Sequence, residues 1–142
     1  MHDDLSRFVR AQEWDYAQAR KEIQAGRKES HWMWYIFPQL RGLGHSDMAQ
    51  YYGIESMEEA KAYLAHPILG ERLREISADL LALPEDLQDV GAIFGFPDDL
   101  KLYSSMTLFA RAAEEGSVFY KVLDVYFGGQ EDEQTLQMLG FK

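Results

Sequence analysis

The amino-acid sequence predicts an all-α fold: a single compact domain over residues 1–142 with about seven helices. Apolar residues recur three or four positions apart, and glycine, proline and capping residues divide the chain at helix-length intervals. Asn-Gly hairpin signals are absent and alternating apolar–polar runs are few. The chain has 142 residues, is 46% hydrophobic and lacks cysteine, so we expect a core that needs no disulfide bonds.

The first forty residues predict two helices and a buried segment. Asp3 or Asp4 is expected to cap the first helix, and the second is expected over about Asp15–Ala25, ending at Gly26. The apolar run over residues 32–37 could form either a buried strand or a buried helical turn, because periodicity does not separate the two. We predict a short helix that ends at Pro38, since a lone strand would lack a partner.

The remaining helices follow from caps and stop residues. Ser56 and Glu59 have capping-box spacing, and Pro67 suits the first turn of the next helix, which Pro84 ends. That helix has the clearest apolar spacing in the chain, with leucine or isoleucine repeated three or four residues apart. Further helices are predicted near Leu87–Phe94 before Gly95, from Pro97, Asp98 and Asp99, over Val118–Phe127 with Ser117 as cap, and from about Asp132 to Gly140.

The charge pattern limits the classes of partner. The net charge is −10, yet residues 1–45 carry seven basic and six acidic side chains, a net charge of +1. We therefore expect no binding to long nucleic acids, and we expect a small anionic ligand to prefer the first third of the chain. No apolar run is long enough for a membrane span, and the N-terminus is polar, which predicts a cytoplasmic protein without a membrane partner.

The densest feature is the string SHWMWYIFPQLRGLG over residues 30–44. Two tryptophans, a tyrosine and a phenylalanine lie beside His31, Gln39 and Arg41. Aromatic planes next to a guanidinium favour stacking and anion binding, and Gly42 and Gly44 allow close approach of a ligand to the backbone. The alternative is a core helix followed by a glycine turn. Both interpretations hold if one face is packed and the polar ends line a cleft.

This string resembles the signature of a bacterial family called the domain of unknown function 1810, sometimes mislabelled calpastatin. Other segments fit the same pattern: Arg27-Lys28, Ala62-Tyr63-Leu64, His66-Pro67, Leu69-Gly70, Phe94-Gly95, Pro97-Asp98, residues 101–109 and Val122-Leu123-Asp124 with Tyr126-Phe127. The resemblance covers nearly the whole chain. It implies a compact helical domain of this length and no established activity.

A second candidate cluster contains Lys101, Ser104, Ser105 and Thr107. The first three fall within one helical turn, and a cation among hydroxyls suits a phosphate or a sugar. The alternative is that the hydroxyls bond to carbonyls one turn back or serve as small packing residues. No Walker-type glycine loop accompanies them, which argues against a nucleoside triphosphatase.

Metal and acid–base candidates are few. The four histidines lack metal-ligand spacing, so we expect no metal and no cofactor. His66 before Pro67 is expected to bond backbone at a helix junction. Asp98 precedes Lys101 by three residues and could be a cap or a catalytic acid, with capping favoured.

The leading functional hypothesis joins the two clusters in one cleft. It predicts a phosphorylated or nucleotide-like ligand, with His31 as the proton-transfer candidate if the protein is an enzyme. The cleft would be lined by Trp32, Trp34, Gln39, Arg41, Lys101, Ser104 and Ser105. An association with helical domains that process NAD- and ADP-ribose-related metabolites rests on fold-level analogy alone.

The rival hypothesis is a non-enzymatic protein-interaction module that uses the aromatic string as core or docking face. A shared cleft requires His31, Arg41 and Lys101 to converge. The sequence leaves the substrate, the reaction and the oligomeric state open.

Overall fold

Helices account for the regular structure of the chain. The computed structural model describes residues 5–141, and within them lie nine α-helices and no β-strand. The helices are α1 (Ser6–Gln24), α2 (Met33–Ile36), α3 (Asp47–Tyr51), α4 (Met57–Ala65), α5 (Leu69–Ala82), α6 (Val90–Phe94), α7 (Asp98–Ala112), α8 (Val118–Phe127) and α9 (Glu133–Leu139), with a 3₁₀ turn at Glu85–Leu87. An isolated parallel bridge joins Leu40 to Ile54. The all-α prediction is confirmed.

The first two predicted helices are a single helix, α1. Nothing between the two apolar groups breaks the helix, and Gln12 in the middle is buried because its amide donates to the Tyr35 carbonyl. Gly26, with φ of +80°, follows the C-terminus as expected. The predicted caps Asp3 and Asp4 lie outside the described residues.

The apolar run forms the short helix α2, as predicted, and Phe37 is its C-terminal cap. Every residue of the run except Trp34 is buried, and α2 packs against α1. The core interpretation therefore holds for most of the run. Trp34 is half-buried, and together with Met33 and Phe37 it lines a cavity.

Helices α4 and α5 start and end close to the predicted signals. Ser56 Oγ accepts from the Glu59 backbone N–H at 3.2 Å, while the Glu59 carboxylate accepts from the Glu55 N–H instead of completing the box on Ser56. His66 Nδ1 accepts from two backbone N–H groups at the α4–α5 junction, which confirms its predicted role. Helix α5 then packs against α1, α4 and α8.

The starts of α8 and α3 differ from prediction. Ser117 precedes α8 but makes no capping bond, and its Oγ is buried without a hydrogen-bond partner. Helix α3 was not predicted at all. Its start is capped by Ser46 Oγ, which accepts from the Ala49 N–H.

Helix α7 forms the centre of the molecule. It buries most of its residues and packs against α4, α6, α8 and α9. The loop over residues 39–44 lies on one side of the N-terminal half of α7, and the start of α9 lies on another. This arrangement leaves a groove along the first two turns of α7.

Candidate functional site

The groove along α7, here called the Lys101 groove, is a surface cavity of about 270 Å³. It is lined by Gln39, Leu43, Gly44, Pro97, Leu100, Lys101, Tyr103, Ser104, Asp132 and Gln134. A narrow cavity adjoins it, lined by Met33, Trp34, Phe37, Gln39, Ala49, Tyr52, Gly53 and Lys101. Gln39 and Lys101 belong to both cavities, so they mark the point where the two meet.

Two glycines hold the loop side of the groove in place by close packing. A Cβ on Gly44 would lie 2.8 Å from Ala49 Cβ, and a Cβ on Gly53 would lie 2.6 Å from Arg41 Cα. Real Cβ atoms do not approach so closely, so any side chain at either position would push the segments apart. The loop and α3 therefore depend on glycine for the position of this wall.

Two lysine–tryptophan pairs share one carboxylate beside the groove. In the inner pair, Lys28 Nζ lies 5.1 Å from the ring centroid of Trp32; in the outer pair, Lys101 Nζ lies 4.8 Å from that of Trp34. Asp98 lies between them, with Oδ2 2.8 Å from Lys28 Nζ and Oδ1 3.4 Å from Lys101 Nζ. The Lys28 side chain is 7% exposed and the Lys101 side chain 23%. Only the outer pair borders the cavities.

The inner pair is part of the core. Trp32 is completely buried, and its Nε1 donates to the Glu22 carboxylate at 2.9 Å. The same carboxylate accepts from the backbone N–H groups of Glu29 and Ser30, the Ser30 hydroxyl and the Gln18 amide. Burial alone would raise the pKa of Glu22, but these hydrogen bonds outweigh it and lower the pKa to about 2. Trp32 therefore has no surface to offer a ligand.

The hydroxyl cluster on α7 mainly holds α9. Ser104 Oγ lies within hydrogen-bond distance of the Leu100 carbonyl and of Asp132 Oδ2. Thr107 Oγ1 donates to the carbonyl one turn back and accepts from the Asp132 N–H. Ser105 Oγ is buried without a hydrogen-bond partner. Of these hydroxyls, Ser104 is the one that also lines the groove.

Arg41 lies away from the Lys101 groove. Its Nε donates to the Gln50 carbonyl and its Nη2 to the Gly53 carbonyl, and Nη1 is 3.8 Å from the Glu55 carboxylate. It lines a separate cavity of about 360 Å³ together with residues of the α4 start and α9. Its observed contacts fix the loop that ends in α3.

His31 is exposed and does not line the Lys101 groove. The structure therefore does not bring His31, Arg41 and Lys101 to one cavity, and the geometry gives no support to the enzyme version of the hypothesis. A role for His31 in proton transfer and for Arg41 in ligand binding stays a prediction.

Sequence reasoning missed most of the groove wall. The missed lining residues are Leu43, Pro97, Leu100, Tyr103, Asp132 and Gln134, whereas Gly44 was named as a point of ligand approach and does line the groove. Asp98 was expected to act as a cap, but α7 has no side-chain cap and the Asp98 carboxylate pairs with lysines instead. The spacing of Asp98 and Lys101 was the one available signal for that cluster. Within residues 5–141, no group of three His, Cys, Asp or Glu side chains is arranged to hold a metal.

These features define a small helical protein with a lysine-containing surface groove. The chain belongs to the family described as "Protein of unknown function (DUF1810)", whose model matches residues 2–139, and this confirms the resemblance seen in the sequence. It is similar to the conserved hypothetical protein Rv1873 from Mycobacterium tuberculosis, solved at 1.38 Å: 50% identity, TM-score 0.93, and 98% of each chain covered. None of the curated proteins matches the chain. Among the helices of residues 5–141, none is long and apolar enough to span a membrane.

Proposed function

We propose that the protein binds a small phosphorylated metabolite in the Lys101 groove. The observation that carries the proposal is the position of Lys101, whose ammonium lies at the junction of the groove and the narrow cavity beside Trp34 and Gln39. An ammonium held over an indole face is a compact positive charge in a fixed place, which suits an oxyanion.

The walls of the groove favour a ligand with two kinds of surface. Leu43, Pro97 and Leu100 are apolar, whereas Gln39 and Gln134 offer amide donors and acceptors. Ligand sites generally combine an apolar lining with a few polar groups that fix orientation. A nucleotide-like or sugar-like body attached to an anionic group has this combination.

The size of the groove narrows the ligand class. Its volume of about 270 Å³ lies just below the range of cavities that hold drug-sized ligands, which is roughly 300 to 1,000 Å³. This favours a mononucleotide or sugar phosphate over a dinucleotide such as NAD. The proposal covers binding alone, because the Asp132 carboxylate in the groove caps α9 and accepts from Ser104 and Thr135.

A thermal-shift titration tests the proposal, with inorganic phosphate, a mononucleotide, a sugar phosphate and ADP-ribose as ligands. A binder at one hundred times its Kd stabilises the folded state by about 2.7 kcal/mol, which raises Tm by roughly 5–10 °C. We expect this rise in the wild type and in Lys121→Met, a control at an exposed lysine of α8, and no rise in Lys101→Met. Equal rises in the two variants would contradict the proposal.

A protein-interaction module is the second candidate, and one observation favours it. Phe96 is 83% exposed and directly precedes Pro97, and the exposed Leu100 lines the same groove. Large exposed apolar side chains beside a groove are typical of protein-docking surfaces. A flat thermal response to every small ligand would favour this candidate over small-molecule binding.

A further inference from the structure

We infer that Lys28, Asp98 and Lys101 form an oxyanion site with a built-in counter-ion, in which Lys28 holds Asp98 and thereby leaves Lys101 available to the ligand. The inference rests on the proposed function and deepens it. It adds two positioning residues, Lys28 and Asp98, neither of which lines the groove. It also predicts which charge changes weaken binding and which strengthen it.

Burial identifies Lys28 as the true partner of Asp98. An ammonium that is only 7% exposed needs a compensating charge, because an unpaired buried ion is strongly destabilising. The distance of 2.8 Å from Lys28 Nζ to Asp98 Oδ2 is that of a charge-assisted hydrogen bond. Lys101 Nζ is 3.4 Å from Oδ1, beyond that range, and its side chain reaches solvent.

The charges of the cluster do not cancel. Two ammoniums face one carboxylate, so the cluster of three side chains carries a net charge of +1. Since Lys28 takes up the Asp98 charge at the shorter distance, the surplus positive charge lies at Lys101, on the groove side. An ammonium has three N–H donors, and one carboxylate oxygen at 3.4 Å satisfies at most one of them.

The groups around Lys101 keep it at the groove wall. The ring of Trp34 lies 4.8 Å from Nζ, and Asp98 lies one turn earlier on the same helix. The indole lies on one side of the ammonium and the carboxylate on another, and the Lys101 side chain lines both cavities. A phosphate oxygen would meet Lys101 there without displacing the Lys28–Asp98 pair.

The arrangement predicts effects of opposite sign at two residues outside the groove. In Lys28→Met, Lys101 becomes the counter-ion of Asp98, so the carboxylate competes with the ligand and binding weakens. In Asp98→Asn, the competing carboxylate is gone and two ammoniums attract the ligand, so binding tightens. A purely structural role for these residues predicts weaker binding in both variants.

The test is a calorimetric titration with inorganic phosphate at low ionic strength. We expect Lys101→Met to abolish binding, Lys28→Met to raise Kd about tenfold, and Asp98→Asn to lower Kd at least about threefold, since neighbouring charges act on the ligand with little screening at low salt. Lys28→Arg and the surface control Lys121→Met are expected to bind as the wild type does.

The possible outcomes separate the inference from the proposed function. Binding that Lys101→Met abolishes, without opposite shifts of Kd in Lys28→Met and Asp98→Asn, overturns the inference and leaves the proposed function intact. No binding by the wild type overturns the proposed function and the ligand role of the cluster together.

A thermal unfolding experiment without ligand tests the pairing itself, including the case in which Lys28→Met binds nothing because it is unfolded. We expect Lys28→Met and Asp98→Asn, which both break the buried pair, to lower Tm by roughly 10 °C, and Lys101→Met to lower it by less than about 3 °C. Similar losses in Lys28→Met and Lys101→Met would overturn the assignment of Lys28 as the partner of Asp98.

Discussion

The inner and outer lysine–tryptophan pairs have the same composition and share Asp98, yet they lie in different environments. Trp32 is enclosed by the core, where its indole N–H donates to the buried Glu22 carboxylate, and the Lys28 side chain is 7% exposed. Trp34 and Lys101 border two cavities. Burial therefore decides whether this combination of side chains stabilises the fold or presents a charge to a ligand.

Disrupting the inner lysine–tryptophan pair is expected to cause the largest loss in the free energy of unfolding. Trp32→Ala removes a fully buried indole and one hydrogen-bond donor to Glu22, so we expect a loss of about 3–5 kcal/mol in the free energy of unfolding. Trp34→Ala, at a half-buried site, is expected to cost about 1 kcal/mol. Urea denaturation monitored by circular dichroism measures both. Equal losses of unfolding free energy in the two variants would contradict the assignment of the inner pair to the core and of the outer pair to the groove.

The second effect is a loss of protein stability at acid pH, caused by protonation of the Glu22 carboxylate that accepts from Trp32. The pKa of Glu22 is about 2 in the folded state against an ordinary value of 4.5, so the unfolded state binds more protons between these pH values. The lowered pKa of Glu22 stabilises the folded state by about 3 kcal/mol. This contribution is complete above pH 4.5 and is lost as the pH falls towards 2. Denaturation curves from pH 6 to 2 should show this loss in the wild type. Glu22→Gln should be less stable at pH 6 and show a correspondingly shallower decline.

A third change alters the groove without touching either pair. Gly53→Ala places a Cβ 2.6 Å from the Arg41 backbone, so we expect a loss of about 1–3 kcal/mol as the loop shifts. Because Gly53 also lines the narrow cavity beside Lys101, phosphate affinity should fall as well. Gly91→Ala is the control, since the nearest atom to its added Cβ is an Asp89 side-chain oxygen at 3.5 Å. Phosphate binding by Gly53→Ala at wild-type affinity would argue that the ligand lies elsewhere.

The smallest effect is expected at Arg41. Its guanidinium bonds two backbone carbonyls from an exposed position, so Arg41→Ala should cost less than about 1 kcal/mol. Phosphate affinity should stay at the wild-type value, because Arg41 lies in a separate cavity. Calorimetry on this variant checks the assignment. If Arg41→Ala no longer bound phosphate, Arg41 would belong to the ligand site, and the sequence-based hypothesis of a single cleft would be supported.

Local signals in the sequence were sufficient to predict where most of the helices end. Gly26, Gly95, Gly128 and Gly140 all follow helices with positive φ, as their positions predicted. Helix α3 was not predicted because it has only five residues and a weak apolar pattern. Helix α1 was predicted as two helices, and the polar residue Gln12 between their apolar groups is buried in the fold, where its amide donates to the Tyr35 carbonyl.

The candidate site was harder to predict, because its parts come from distant segments. Trp34, Gln39, Lys101 and Ser104 were chosen by residue type and do lie at neighbouring cavities. Trp32 has the same residue type two positions earlier, but α2 turns it into the core. The ion pair between Lys28 and Asp98 joins residues far apart in sequence, and no local pattern reports such a contact.

A fluorescence titration with inorganic phosphate reports whether an anion binds at Lys101 beside Trp34. Trp14 is 85% exposed and would add background signal, so the titration uses Trp14→Phe, in which Trp32 and Trp34 remain. Because Lys101 lies over the Trp34 ring, we predict that phosphate binding changes the emission and that adding Lys101→Met abolishes the change. An emission that phosphate leaves unchanged, or a change that persists without Lys101, would contradict the account.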